Sequence, residues 1–175
     1  MKSPETMELL KACQEHNLDA IKTLLQKPNL IDFKATDAQG RSMLHLALGT
    51  GKVNANKPKR LNILAIVHLL CAHGAPVNAK DRSNLCPIHY CAQTINTESA
   101  MYLLDQGAKI NASDANGRTA LYYTAVDTYP DFEFVKMLVM KRARLGKVKP
   151  PQLPQRVDES RGKVRKLIDH TMARG

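Results

Sequence analysis

At 175 residues, 43% hydrophobic and 24% charged, the chain has the composition of an ordinary globular protein of one domain or one short repeat array. Aromatics make up only 5% and Trp is absent, so the core must come from Leu, Ile, Val, Ala and Met, which favours small packed helices. The net charge of +10 is uneven: eleven Lys/Arg face three Asp/Glu from Lys141 onward, against fifteen and thirteen before it, so the positive field belongs to the tail.

No stretch approaches the roughly 18 consecutive apolar residues of a membrane-spanning helix. The longest apolar run, residues 63–72, is interrupted by His68. The opening MKSPETMELL carries Glu5 and Glu8 and has no apolar signal core. Four cysteines without secretory context read as reduced thiols, which places the chain in the cytoplasm or nucleus.

Taken in order, LLKACQEHNLDAIKTLL predicts two short helices, with Glu5, Lys11, Gln14 and Glu15 facing water. Asp37 then opens DAQGRSMLHLALGTGK, and this unit closes with IVHLLCAHGAPVNAK at Lys80. Asp81 opens a second such unit, DRSNLCPIHYCAQTINTESAMYLLDQGAKINAS, and Asp114 a third, DANGRTALYYTAV. The spacing from Asp81 to Asp114 is 33 residues, whereas the unit from Asp37 to Lys80 has 44 and therefore an 11-residue insertion. That insertion, roughly Val53 to Asn62 (VNANKPKRLN), is expected as a loop between two helices because Pro58 resists helix. It reads either as a tolerated solvent loop or as a basic finger of Lys57, Lys59 and Arg60 for an acidic partner or a phosphate. Ser42 and Thr119 stand where a hydroxyl caps a helix, Cys86 caps poorly, and Gly74 and Gly107 stand at helix stops that want positive φ. In the last unit Tyr122 and Thr124 break the pattern and TYPD (Thr128 to Asp131) lengthens the connection. Its end, KRARLG, lacks the Gly-Ala turn, so the array is expected to stop near Leu145.

The segments SMLHLA (Ser42 to Ala47), CPIHYC (Cys86 to Cys91) and TALYYT (Thr119 to Thr124) match T-P-L-H-x-A, and LLCAHGAPVNA and LLDQGAKINA match the second half of the same repeat. Over residues 5–145 the chain resembles the ankyrin-repeat family. The resemblance implies an all-α solenoid of helix-turn-helix units joined by β-turn or hairpin loops, with units near 5–36, 37–80, 81–113 and 114–145. Residues 146–175 follow as a basic, Pro-containing linker and a segment with the pattern of a C-terminal helix. No unit buries its apolar face alone, so neighbours must stack.

Resemblance also implies a monomeric module that binds a partner protein through a concave face, as an adaptor, scaffold or inhibitor. Carried over position by position, the tips are Ala38, Gln39 and Arg41; Arg82, Ser83 and Leu85; Ala115, Asn116 and Arg118. The helix positions are Gly49 and Thr50, Gln93 and Thr94, Val126 and Asp127. Arg41, Arg82 and Arg118 read as a ladder for partner carboxylates, with Leu85 as an exposed apolar anchor. His45 and His89 fill the signature position, which in the family resembles a hydrogen-bonding post between turn and helix.

Enzymatic chemistry finds no support. Cys86, His89 and Cys91, with Cys71 and His73 nearby, lack the matched ligand pairs of a zinc site, and no cofactor is implied. There is no nucleophile elbow, phosphate loop or H-E-x-x-H. In the tail, Pro151, Pro154 and Arg156 form a P-x-x-P-x-R pattern resembling SH3-domain ligands. KVRKLIDHTMA places Val164, Leu167, Ile168 and Met172 on one helical face, to pack back as a cap or dock on a partner. The basic residues Lys141, Arg142 and Arg144, then Lys163, Arg165 and Lys166, read as solvated charge, an import signal, or an anchor for nucleic acid or anionic lipid. Two further functions therefore stand beside partner binding: an electrostatic tether through finger and tail, and the regulatory segment of a larger enzyme.

Overall fold

Short apolar-periodic runs, several opened by a small polar residue, fold into eight α-helices among the described residues. The computed structural model describes residues 2–49, 57–125, 131–144 and 146, together with Gly162, Lys166 and Asp169. The helices are α1 (Pro4–Glu15), α2 (Leu18–Leu24), α3 (Met43–Leu48), α4 (Lys57–Ala72), α5 (Pro87–Thr94), α6 (Thr97–Asp105), α7 (Ala120–Ala125) and α8 (Phe132–Met140). Regular structure outside them, among the described residues, is a 3-10 turn at Pro28–Leu30 and two isolated antiparallel bridges, Thr36 to Ser42 and Arg118 to Gly146. The fold is all-α.

Side chains close the exposed amides of the helix starts. Ser3 Oγ accepts from Thr6 N at 3.2 Å, Asn17 Oδ1 from Ala20 N at 3.0 Å, Asn96 Oδ1 from Ser99 N at 3.1 Å and Asp131 Oδ1 from Phe134 N at 2.8 Å. Four successive pairs stack in two layers: α1, α3, α5 and α7 touch in sequence on one side, and α2, α4 and α6 on the other. The first layer carries the core. All six residues of α3 are buried, and so is every residue of α5 except Gln93.

Several sequence expectations change. The insertion is not wholly a loop, since Lys57 to Asn62 form the start of α4. Pro58 occupies the first turn, where its missing N–H has no intrahelical partner to lose. At 16 residues, against nine for α6 and α8, α4 is about 24 Å long. Of the four residues expected to face water on α1, Lys11, Gln14 and Glu15 are exposed and Glu5 is half-buried. The turn after α8 is present despite lacking glycine: Arg142 takes φ 63° and Ala143, fully buried, donates its N–H to Leu138 O at 2.9 Å. Gly107 and Ala108 make the same turn after α6, with Ala108 N donating to Leu103 O at 2.8 Å. The KRAR run is thus partly scaffold.

Candidate interaction face

Each signature turn is organised by the aspartate that opens it. Asp37 Oδ1 accepts from the N–H groups of Gln39 (2.9 Å) and Arg41 (2.8 Å). Asp81 Oδ1 accepts from Ser83 (2.8 Å) and Leu85 (2.9 Å), and Asp114 Oδ1 from Asn116 (2.8 Å) and Arg118 (2.9 Å). The third residue after each aspartate has positive φ: Gly40 at 75°, Asn84 at 59° and Gly117 at 77°. Gly40 is also close to the next tip, since a Cβ there would lie 3.2 Å from Arg82 N. The tips are joined to one another by backbone bonds: Arg82 N donates to Gln39 O and Ala115 N to Ser83 O, both at 3.1 Å. Three turns therefore form one continuous row.

The second carboxylate oxygen is committed as well. Asp37 Oδ2 pairs with Arg41 Nε at 2.7 Å, Asp81 Oδ2 accepts from Tyr90 OH at 3.0 Å, and Asp114 Oδ2 takes both Arg118 Nε at 2.8 Å and Tyr123 OH at 2.6 Å. Burial raises the carboxyl pKa of Asp37 and Asp114, but the hydrogen bonds onto each carboxylate outweigh it and the net shift is downward. The Arg118 guanidinium also lies 5.1 Å from the centre of the Tyr123 ring.

Below the tips, two histidines bolt successive turns together. His45 Nδ1 accepts from Ser42 N at 3.0 Å, so its Nε2–H donates to Leu85 O at 2.9 Å in the next turn. His89 Nδ1 accepts from Cys86 N at 2.9 Å and its Nε2–H donates to Ala112 O at 2.9 Å. Cys86, expected to cap poorly, forms a capping box with His89 at the start of α5, the ring taking the Cys86 N–H. Both rings are fully buried, and burial lowers their pKa, so both are neutral at pH 7. Tyr90 packs edge-on against His45 and Tyr123 against His89. At the start of α7, the Thr119 hydroxyl donates to Arg144 O and so ties this helix to the turn after α8. A lower latch repeats too: Asn78 binds Gly107 O and Lys109 N, and Asn111 binds Arg142 O and Arg144 N.

The expected partner-contacting residues separate into groups. Gln39, Arg82, Ser83 and Asn116 are exposed on the tip row, beside exposed Ala38 and Ala115. Arg41 and Arg118 are half-buried and already paired with their own aspartates, and Arg82 stands at a different position of its turn, so the three arginines form no single ladder. Leu85 is half-buried against the core rather than exposed, and its carbonyl receives the His45 bond. Gln93 and Gly49 are half-buried, while Thr94 is buried, with its hydroxyl donating to Tyr90 O at 2.8 Å. Thr50, Val126 and Asp127 lie outside the described residues.

Of the basic residues, Lys57, Lys59 and Arg60 stand at the start of α4, their side chains outside the description. Lys141 is exposed with its Nζ 3.6 Å from Asp105, and Arg142, Arg144 and Lys166 are exposed. Lys163, Arg165 and the Pro151, Pro154 and Arg156 pattern lie outside the described residues. The four cysteines are free thiols, and burial raises the pKa of Cys13 to about 12 and of Cys71 to about 11. Among the described residues no group of three or more His, Cys, Asp or Glu is placed to hold a metal, and no helix is long and apolar enough to cross a membrane.

The aspartates and tyrosines of this face were missed as site residues. Their signal was present as a second 33-residue echo, Asp81 with Tyr90 and Asp114 with Tyr123.

Comparison with known proteins places this arrangement. A family model for ankyrin repeats in three copies matches residues 59–148, and one for ankyrin repeats in many copies matches residues 9–55. The chain is 31% identical over 99 residues to an ankyrin and IPT/TIG repeat-containing protein of Schizosaccharomyces pombe, covering 57% of this chain and 8% of that one. It is 27% identical over 121 residues to a probable 26S proteasome regulatory subunit p28 of Saccharomyces cerevisiae, covering 69% and 48%. It is 28% identical over 98 residues to the NF-kappa-B inhibitor cactus of Drosophila melanogaster, covering 54% and 17%. The chain thus spans less than half the length of these relatives.

Proposed function

We propose, because the chain belongs to the ankyrin-repeat family, that it is a protein-interaction module whose partner lies along the tip row from Gln39 to Asn116. Ankyrin repeats are interaction modules, and similarity to an inhibitor and to a proteasome subunit supports an adaptor or inhibitor role. The observation that carries the reading is the tip row itself. Its backbone is fixed by three aspartates and two inter-tip bonds, yet it leaves Gln39, Arg82, Ser83 and Asn116 exposed. Such a row meets a partner already ordered, which lowers the entropic cost of binding. Arg82 is the member that offers a guanidinium without an ion pair among the described residues, and so it suits a carboxylate on the partner.

The test must spare the scaffold. Reversing Arg41 or Arg118 would set a glutamate against Asp37 or Asp114 and damage the turn. Arg82→Glu with Asn116→Glu changes exposed side chains only, and stability should stay within about 0.5 kcal/mol of the unaltered chain. Affinity capture from cell extract should then lose the principal bound protein. Equal recovery by both chains, with the fold intact, would remove the tip row from the binding surface.

A further inference from the structure

The stacking of outer helices is interrupted at one place. α2 packs on α4 and α4 on α6, but α6 and α8 make far less contact. Between these last two lies an open groove of about 450 Å³ lined by Met101, Glu133, Lys136, Met137, Met140 and Lys141. Its lining is mostly apolar: Met101 is 45% and Met140 75% exposed, and Met137 is half-buried. Flexible thioether side chains suit an irregular apolar filler. The rim carries both signs, through Glu133 and Lys136 and through Lys141 with its partner Asp105.

The chain beyond Gly146 has the means to fill this groove. Gly146 is pinned beside Gly117 by the bridge to Arg118, six residues after Met140, so the tail leaves the scaffold from the same repeat. Gly162, Lys166 and Asp169 have helical backbone, with Lys166 and Asp169 exposed. On a helix in that register, Val164, Leu167, Ile168 and Met172 make an apolar stripe on another side, at positions i, i+3, i+4 and i+8. Residues 147–163 reach at most about 55–60 Å when extended, and about 20–25 Å as a flexible chain. Such a tether holds the stripe at millimolar effective concentration. A terminal repeat also has no following neighbour to cover its apolar surface.

We propose that residues 164–172 fold back as an amphipathic helix and occupy the groove between α6 and α8, with Leu167 and Ile168 against Met101, Met137 and Met140. The groove's occupant is the chain's own C-terminal segment, which completes the outer layer where the helices part.

The full-length chain labelled with ¹³C at its methionine methyls tests this. Substituting Leu167→Asp and Ile168→Asp together should shift the Met101, Met137 and Met140 signals and leave Met7 and Met43 in place. The reciprocal change, Met140→Glu, should shift Met172. A photo-crosslinking residue at position 168 should give links within one chain to α6 or α8. Unmoved groove signals, links to other helices, or links between two copies would each overturn the proposal.

Discussion

The posts at the helix starts are imidazoles in the middle of the array and hydroxyls at its two ends. His45 and His89 each accept an amide at Nδ1 and donate from Nε2 to a carbonyl in the next turn. At the first helix the equivalent position is Thr6, whose Oγ1 accepts from Asp32 N at 2.9 Å, and at the last pair Thr119 donates to Arg144 O. A ring with two nitrogens spans two backbone segments at once, whereas a hydroxyl at an end joins its neighbours over a shorter reach. The two central posts therefore depend on the protonation state of a ring, while at the first junction a further ring, His16, bonds Ala47 O through Nε2 at 2.9 Å beside the Thr6 hydroxyl.

The largest effect should come from removing a post. His89→Ala leaves Cys86 N–H and Ala112 C=O buried without that ring and should cost about 3 kcal/mol in urea unfolding. Thr6→Val, at the end of the array, should cost about 1 kcal/mol. Equal losses at the two sites would erase the distinction between centre and ends.

Acid should sharpen the same contrast. Burial depresses the folded pKa of both histidines, so their contribution is complete above the ordinary value of about 6.5 and is lost as pH falls below it. The sign follows because unfolded rings take up protons that the folded rings refuse, and a proton on Nδ1 removes the acceptor for the amide. Stability should fall by up to about 1.4 kcal/mol per pH unit for each ring in that window. A chain carrying His45→Gln and His89→Gln should lose most of that slope in denaturation series between pH 7 and pH 5.

A smaller effect separates the turns after the outer helices. Gly74 and Gly107 take φ of 81° and 86° without steric difficulty, whereas Arg142 holds 63° with a side chain. Arg142→Gly should therefore raise thermal stability by about 1 kcal/mol, while Gly107→Ala should lower it by a similar amount.

Much of the scaffold was legible because its signals are local and repeated. The 33-residue spacing and the positive-φ glycines announced paired helices and their turns, and the signature histidines announced the posts. Pro58 misled because a proline reads as a helix breaker unless the helix is known to begin beside it. Arg142 misled because its backbone conformation is set by the buried Ala143 and its bond to Leu138, which no single residue type reveals. The tip arginines looked like one set because sequence shows exposure poorly. Only the geometry of Asp37 and Asp114 shows that Arg41 and Arg118 are already engaged, while Arg82 has no ion pair among the described residues.

Amide hydrogen exchange of the full-length chain, with and without its captured partner, tests the account most directly. Protection gained at residues 38–41, 82–84 and 115–118 is the predicted result. Protection confined to residues 57–61 and to the basic segment from 141 onward, with the tips unchanged, would contradict it.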